Sequence, residues 1–553
     1  MSYRYDPTRF REVFEHRFSY IAGVQRNSLR YGSQPALHDP ATDRRWTYAE
    51  LWDDSGRLAA GLAAAGVGSD EVVVFDLLNG PEFALLWLAV QRLGAIAAPI
   101  NFRLAPGEVA HILDDSSPRA FIYDLSVEAV AADAIERAAH TPGTVAVVDP
   151  DGGRRTGSHA TALPFADLID SDAGGELPDL GERTIWEEST RLYTSGTTGL
   201  PKGVSLNTLV EILSAHDVIM HFPLSPEDRT LNMTPWFHRG GLYSGGPNPV
   251  FYVGAEAVAM RQFDPATVLD WVQQHQLTFL IGAPTNLALL SAEQQSRPRD
   301  LSSLHGIVTM GAPLDREACL RYQRHLTPRI FNGYGTTEAF WNTFLRPADL
   351  PEQAGSAGRA CTDDDVAVVR VYDDRYAAPD DLASQDGNEV GEVIVRSVKS
   401  GYAYVNQPDE QDQRFRDGWL YIGDLATWDE QGYVTIVGRK DDMIISGGEN
   451  VHPAQVEAVL EEHPGIAEAV VVGVPDQRWG ELVVAYVVRT DPRLDAAACE
   501  AHALGHPMLA AFKRPRAYRF VERLPRTATG KKLHYKLREQ AREDAAAGRL
   551  ERP

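Results

Sequence analysis

The stretch from residue 72 to 148 constrains the fold more than any other. Short β-rich runs, "VVVFDL" (72–77), "AIAAPI" (95–100), "AFIYD" (120–124) and "TVAVVD" (144–149), alternate with helical stretches near 82–92, near 107–114 and ahead of the last run. Apolar strands each followed by a helix predict a parallel sheet covered on both faces. The alternation returns at "TFLI" (278–281), "GIVTM" (306–310) and "RIFN" (329–332). From 366 the character changes. "VAVVRVY", "EVIVRS" and "GYVTIVG" read as antiparallel strands, with turn signals at Asp386-Gly387 and Gln431-Gly432. A domain boundary is expected at "GRKDD" (438–442), dividing the chain into 1–440 and a compact 441–553. Residues 150–188 read as a long polar surface connection.

At 553 residues, more than one domain is the default. Lys+Arg 53 against Asp+Glu 77 gives a net charge of -24, which argues against general binding to nucleic acid or anionic membranes. Cys319, Cys361 and Cys499 are few, distant and odd in number, with neither a disulfide framework nor zinc spacing, so a reducing cytoplasm is the expected setting. The opening residues lack the apolar core of a signal peptide. "FALLWLAVQRLGAIAAPI" (83–100) is broken by Gln91 and Arg92, and reads as a buried helix running into a strand rather than a membrane span. A homodimer is left open.

Function enters at "LYTSGTTGLPKGVSL" (192–206). It is not a Walker loop, which needs Gly-Lys-Ser/Thr four residues after its first glycine. It has the same ingredients in another order. Gly196, Gly199 and Gly203 let backbone N–H groups close round an anion, Thr194, Ser195, Thr197 and Thr198 add hydroxyls, and Lys202 adds a mobile charge. Such a loop can wrap a polyphosphate.

Residue for residue, this loop resembles the phosphate loop of adenylate-forming enzymes: acyl- and aryl-CoA synthetases, peptide-synthetase adenylation domains and luciferases. The resemblance runs from about residue 30 to 540. It implies an α/β fold, with a large N-terminal domain of doubly wound mixed sheets plus a β-barrel-like part, and a small mobile α+β C-terminal domain.

Further motifs carry it. In "FNGYGTTEAF" (331–340), Asn332, Gly333, Tyr334, Gly335 and Thr336 would form the ATP site, with Tyr334 expected to offer an exposed aromatic face to adenine. Thr337 would donate to phosphate, and Glu338 is a hard oxygen ligand suited to Mg²⁺. Gly311, Ala312 and Pro313 of "MGAPL" would form the other adenine wall, where relatives often have Gly in place of Met310. Asp424 would accept from the ribose hydroxyls, Arg439 would lie near ribose and phosphate, and Asp441 matches the family's hinge. In "LPRTATGKKLHYKLR" (524–538), Lys531 would stabilise the charge that builds as a carboxylate attacks the α-phosphorus.

The implied reaction has two halves: acid and ATP give acyl-AMP and pyrophosphate, then a thiol displaces AMP. Gly447 and Gly448 of "SGGEN" would line the thiol tunnel after the small domain rotates. "GRKDDMIISGGENVHP" looks most like bacterial aryl-CoA ligases of the chlorobenzoate type, which implies a coenzyme A grip of Trp479, Phe512 and Arg514, with Arg103 as a second cation. Trp236, Phe237 and His238 match the acid-pocket segment, with His238 orienting the carboxylate. The glycines and prolines between 240 and 249 predict a short or absent helix there and a remodelled pocket lined by aromatics such as Tyr243, Phe251, Phe340 and Trp341, suited to a bulky aromatic or polycyclic acid. Transfer to a carrier-protein thiol or an amine is the alternative; a catalytically inactive nucleotide-binding protein and a luciferase-like oxygenase are more distant ones.

Overall fold

The structure is a computed structural model that describes residues 6–157, 161–170, 177, 184–195, 200–372, 375–440, 442–525, 532 and 534–553; the side chains of Ser195 and Ala454 are also outside the description. Strand Val72–Asp76 pairs in parallel with Ile96–Pro99 on one side and Ala120–Asp124 on the other, and Thr144–Val148 follows in parallel. Helices Pro81–Arg92, Pro106–Ser116 and Glu128–Arg137 return the chain each time. Leu163–Pro164 and Glu188–Ser195 extend this sheet in parallel, and Pro201–Asn207 closes it antiparallel, making seven strands. The expected connection over 150–188 thus contains a short strand and the helix Phe165–Ile169.

A second mixed sheet has nine strands. Its parallel centre is Gly306–Met310, Phe279–Gly282, Arg229–Asn232 and Glu256–Val258, and antiparallel pairs lie at both ends. Helix Pro81–Arg92 is apolar on nearly every side and is buried accordingly, starting with Pro81 at its first turn and ending beside Gly94 at φ +68°. Its Trp87 belongs to the core that joins inward residues of both sheets, such as Phe75 and Phe279.

Beyond these lies an antiparallel sheet of Asp364–Val369, Gly391–Ser397, Phe415–Arg416, Trp419–Trp428 and Val434–Arg439. The last sheet is built from Ile444–Ser446, Glu449–Val451, Ile466–Asp476, Gly480–Arg489 and Ala517–Phe520. Helices Pro453–Glu461, Ala496–Gly505 and His534–Ala546 accompany it. No described helix is long and apolar enough to cross a membrane.

Asp76 ends its strand with both carboxylate oxygens buried and, among the described residues, unbonded. Burial, and then the Asp124 charge, push its carboxyl up from 3.8 to about 8; Arg261 pairs with Asp124 instead (2.8 Å). The folded chain keeps a proton there that the unfolded chain releases above its own value. Stability from this group is therefore full below about pH 4 and is lost as pH rises through about 8. Asp76→Asn is expected to flatten that fall by a few kcal/mol, on the order of 1.4 kcal/mol for each tenfold difference in proton affinity between the folded and unfolded chain. Urea midpoints at mildly acidic and mildly alkaline pH check it; equal losses in both proteins would contradict it.

Candidate active site

The hairpin of Glu188–Ser195 and Pro201–Asn207 sets Thr194 opposite Lys202. Gly196, Thr197, Thr198 and Gly199 connect these strands in sequence and lie outside the described residues. The other edge of Pro201–Asn207 takes up the segment at 403–405, through Ser205 N–H to Ala403 O (3.2 Å) and Val405 N–H to Gly203 O (2.8 Å). This delivers Tyr404, which no sequence motif had marked. Its hydroxyl donates to Glu338 Oε1 at 2.6 Å, and its ring lies 4.2 Å from the Lys202 ammonium. Lys202 is buried and pairs with Glu410 Oε1 at 2.8 Å. Burial pushes the Glu338 carboxyl up, but the Lys202 charge and the Tyr404 hydrogen bond together outweigh it and hold Glu338 below the usual carboxylate range.

Lys202, Glu338 and Tyr404 line a cavity of about 1150 Å³. Gly311, Ala312 and Pro313 line it, as do Asn332, Gly333, Tyr334, Gly335, Thr336 and Thr337 from the adjacent, parallel-paired strand and the turn after it. Tyr334 is half-buried rather than exposed, because its hydroxyl donates to Asp424 Oδ2 at 2.6 Å. Arg439 bonds the other oxygen of Asp424, and all three residues line the cavity. The Thr194 hydroxyl is buried at the wall with no partner among the described residues.

Of the residues expected in the acid pocket, Phe237, His238, Phe340 and Trp341 line the cavity. Trp236, Tyr243 and Phe251 do not; all three are core residues. The Trp236 ring packs edge-on against Phe83 (5.7 Å), and its backbone N–H donates to Asn79. The Tyr243 hydroxyl donates to buried Glu211 at 2.8 Å. The glycine- and proline-rich segment forms two short helices, Arg239–Tyr243 and Pro247–Val253. Arg239, also unmarked by sequence, is buried. Its guanidinium donates to Thr337 O, Ser214 Oγ and Lys399 O, and so holds the residue next to Glu338.

The far wall comes from the last sheet. Gly447 (φ +62°) and Gly448 (φ +83°) turn the hairpin between Ile444–Ser446 and Glu449–Val451, two successive left-handed positions that favour glycine, and both line the cavity. Next to them, buried Glu449 accepts from Asn101 (3.0 Å) and Arg103 (2.9 Å) and lies 3.3 Å from His238 Nε2. Burial pushes Glu449 up, but His238 first, then Arg103 and Lys513, hold it below the usual range. A reciprocal contact lies alongside. Glu108 is buried and accepts from Lys513 Nζ, while Lys513 also donates to Gln455 Oε1 (2.9 Å) and Ala510 N–H donates to Glu108 (3.0 Å).

The expected coenzyme A residues divide. Arg103 and Phe512 line the cavity; Trp479 and Arg514 do not. Arg514 donates to Glu500 at 2.7 Å. Trp479 is half-buried under the Arg516 guanidinium, 3.7 Å from its ring, and its carbonyl accepts from Gly447 N–H at 2.7 Å. Arg516 is a further residue that sequence reasoning missed. Lys531 and Asp441 lie outside the described residues. One buried group of metal-ligand type, Asp217, His221 and Cys361, stands apart from the cavity wall, and the Lys399 ammonium already lies 3.0 Å from Asp217 and 2.9 Å from Asp364.

The description "AMP-binding enzyme" matches residues 24–404, and that of the AMP-binding enzyme C-terminal domain matches residues 455–531. The chain belongs to this family. It is 34% identical to the indoleacetate–CoA ligase of Aromatoleum aromaticum, over 88% of this chain and 92% of that one. It is 35% identical to a feruloyl-CoA synthase of Amycolatopsis, over 89% and 93%. Its fold is similar to that of o-succinylbenzoate CoA synthetase from Bacillus subtilis bound with a product analogue, with a TM-score of 0.79, 27% identity and coverage of 94% and 98%. The activity is that of an acid–CoA ligase, with ATP and coenzyme A as co-substrates.

Lys513→Met would leave Glu108 buried without its ammonium, a loss of about 3–5 kcal/mol for a broken buried pair. Trypsin cleavage after Arg439 or Lys440 is expected to accelerate about tenfold or more as the seam opens. An unchanged rate would mean that other contacts hold it.

Proposed function

We propose that the chain activates a bulky aromatic or polycyclic acid as its adenylate and then transfers the acyl group to coenzyme A, using one cavity for both steps. The observation that carries this reading is the position of Gly447 and Gly448. They line the same cavity as Gly311, Tyr334 and Glu338, beside a Glu449 bonded to Arg103. A pantetheine arm needs such a close backbone approach.

In the first half-reaction an acid oxygen bonds to the α-phosphorus and pyrophosphate leaves. Lys202, Thr194 and the loop 195–199 hold the polyphosphate, Thr337 donates to it, and Arg439 and Asp424 hold the ribose. Glu338 fits Mg²⁺ as a buried, anionic oxygen donor with one oxygen already oriented by Tyr404. When bound, the ion neutralises phosphate charge. Lys531 supplies a delivered ammonium at the α-phosphate. In the second half-reaction the thiol sulfur bonds to the acyl carbon and AMP leaves, while His238, braced by Glu449, orients the acyl end. Residues 1–440 and 441–553 act as two domains that turn about Asp441 between the halves. The Arg516–Trp479 stack supports a free coenzyme A acceptor over a carrier protein, since it offers a cation and an aromatic face to a nucleotide. The aryl acids named for the relatives, indoleacetate and ferulate, support an aromatic substrate. A cytoplasmic setting fits three free cysteines.

Lys531→Ala is expected to lower acid-dependent ATP–pyrophosphate exchange by about 10²-fold or more. It should largely spare thioester formation from supplied acyl-AMP. Equal loss in both half-reactions would contradict the assigned role.

A further inference from the structure

We infer that Arg239 is a positioning residue of the first half-reaction: its guanidinium clamps the turn that carries Thr337 and Glu338 to the helix that follows His238, and so sets the spacing between the acid and the polyphosphate. This deepens the proposed function and rests on it.

The strut starts from a fixed backbone. Arg239 opens the helix Arg239–Tyr243 directly after His238. The side-chain amide of Asn232, the last residue of strand Arg229–Asn232, donates to Gly240 O (3.0 Å), Gly241 O (3.1 Å) and Ser244 O (3.0 Å), so one residue holds the whole short helix. Gly241 leaves no slack, since a Cβ there would fall 1.8 Å from Pro235 O. His238 and the root of Arg239 are thus set together.

The other end grips a turn that the sheet leaves out. The ladder of Ile330–Thr336 with Phe340–Leu345 closes at Thr336 and Phe340, and residues 337–339 lie beyond it. Thr337 O accepts from Arg239 Nη1 at 2.5 Å. Phe340 has φ +59°, a left-handed backbone that a phenylalanine keeps only where its surroundings impose it. Its ring lies 5.5 Å from the same guanidinium. Arg239 therefore touches both ends of the turn, with Glu338 between them. Its Nη2 donates to Ser214 Oγ (3.1 Å) and to Lys399 O (2.7 Å), five residues before the Tyr404 that orients Glu338.

This place suits arginine and little else. Two nitrogens of a rigid fork reach three acceptors, which the single point of an ammonium cannot span. All three acceptors are neutral, and Arg239 is buried. Burying a cation against neutral acceptors is a poor way to add stability, and an apolar side chain would serve a purely structural place as well. Misplacing reacting groups by about 1 Å, in contrast, costs about 10²-fold in rate. The magnitudes favour a role in placement over one in holding the fold.

Arg239→Lys and Arg239→Met test this in the full chain, with indoleacetate and ferulate as acids. The kcat of ATP–pyrophosphate exchange is expected to fall about 10²-fold in both variants. Thioester formation from the supplied acyl-AMP should be largely spared, because pyrophosphate has already left and His238 is held by its own helix. The ratio of the two rates is taken within one variant, so a loss of folded enzyme cancels. Equilibrium dialysis of ATP with Mg²⁺ reads the same turn without turnover. The dissociation constant is expected to rise about tenfold, whereas a loss of folded protein lowers only the number of sites. Equal loss in both half-reactions overturns the inference, as does undiminished exchange in Arg239→Lys. Exchange of neither acid by the unsubstituted chain overturns the aryl-acid reading, and the dialysis then decides Arg239 by itself: an unchanged dissociation constant in both variants overturns its role.

Discussion

Two buried carboxylates, exchanged across one seam, fix where the cavity closes. Glu108 comes from the first part of the chain and takes its cation, Lys513, from the short turn Ala511–Lys513 that precedes the strand Ala517–Phe520. Glu449 comes from the last sheet and takes Arg103, Asn101 and His238 from the first part. Each carboxylate takes cations from the other part of the chain, while Glu108 also accepts from its own Ala105 N–H (3.0 Å). Buried pairs of this kind add little net stability over an apolar contact, yet breaking one leaves an uncompensated charge. That combination would suit the domain rotation proposed above, which needs a contact that is specific without being permanent. It also explains why Gly447 and Gly448 turn where they do: they immediately precede Glu449, and anchoring Glu449 carries their turn into the cavity wall.

Parts of this were legible in the sequence for a physical reason. The alternating strands and helices announce themselves by period and by turn residues, and the strand Gly306–Met310 has the bounds expected of it. The motif at 331–340 is local as well: strand Ile330–Thr336 turns directly into its antiparallel partner Phe340–Leu345. What sequence could not supply is capture over long distances. Tyr243 has the chemistry of a pocket aromatic, but Glu211, a residue from another helix, claims its hydroxyl. Trp236 is taken into the core by the packing of its ring against Phe83, a residue from another helix. Arg514 has the chemistry of a phosphate ligand but is bonded to Glu500. Tyr404, Glu410 and Arg239 escaped notice for the opposite reason. They belong to no motif, and only the pairing of segment 403–405 with strand Pro201–Asn207 brings Tyr404 to Glu338.

The cavity lining is not satisfied to the same degree throughout. At the nucleotide end most charged groups are already matched: Lys202 with Glu410, Glu338 with Tyr404, Asp424 with Tyr334 and Arg439. Under the proposed site assignment, a triphosphate entering there would exchange partners, and its binding would be the difference between two well-satisfied states. Such exchange tolerates variation in the ligand, because the protein groups have somewhere to return. Elsewhere in the lining, Ser244 Oγ and Trp341 Nε1 are buried with no hydrogen-bond partner among the described residues. Groups left unmade in this way bear the full desolvation penalty, which the matched charges at the nucleotide end avoid.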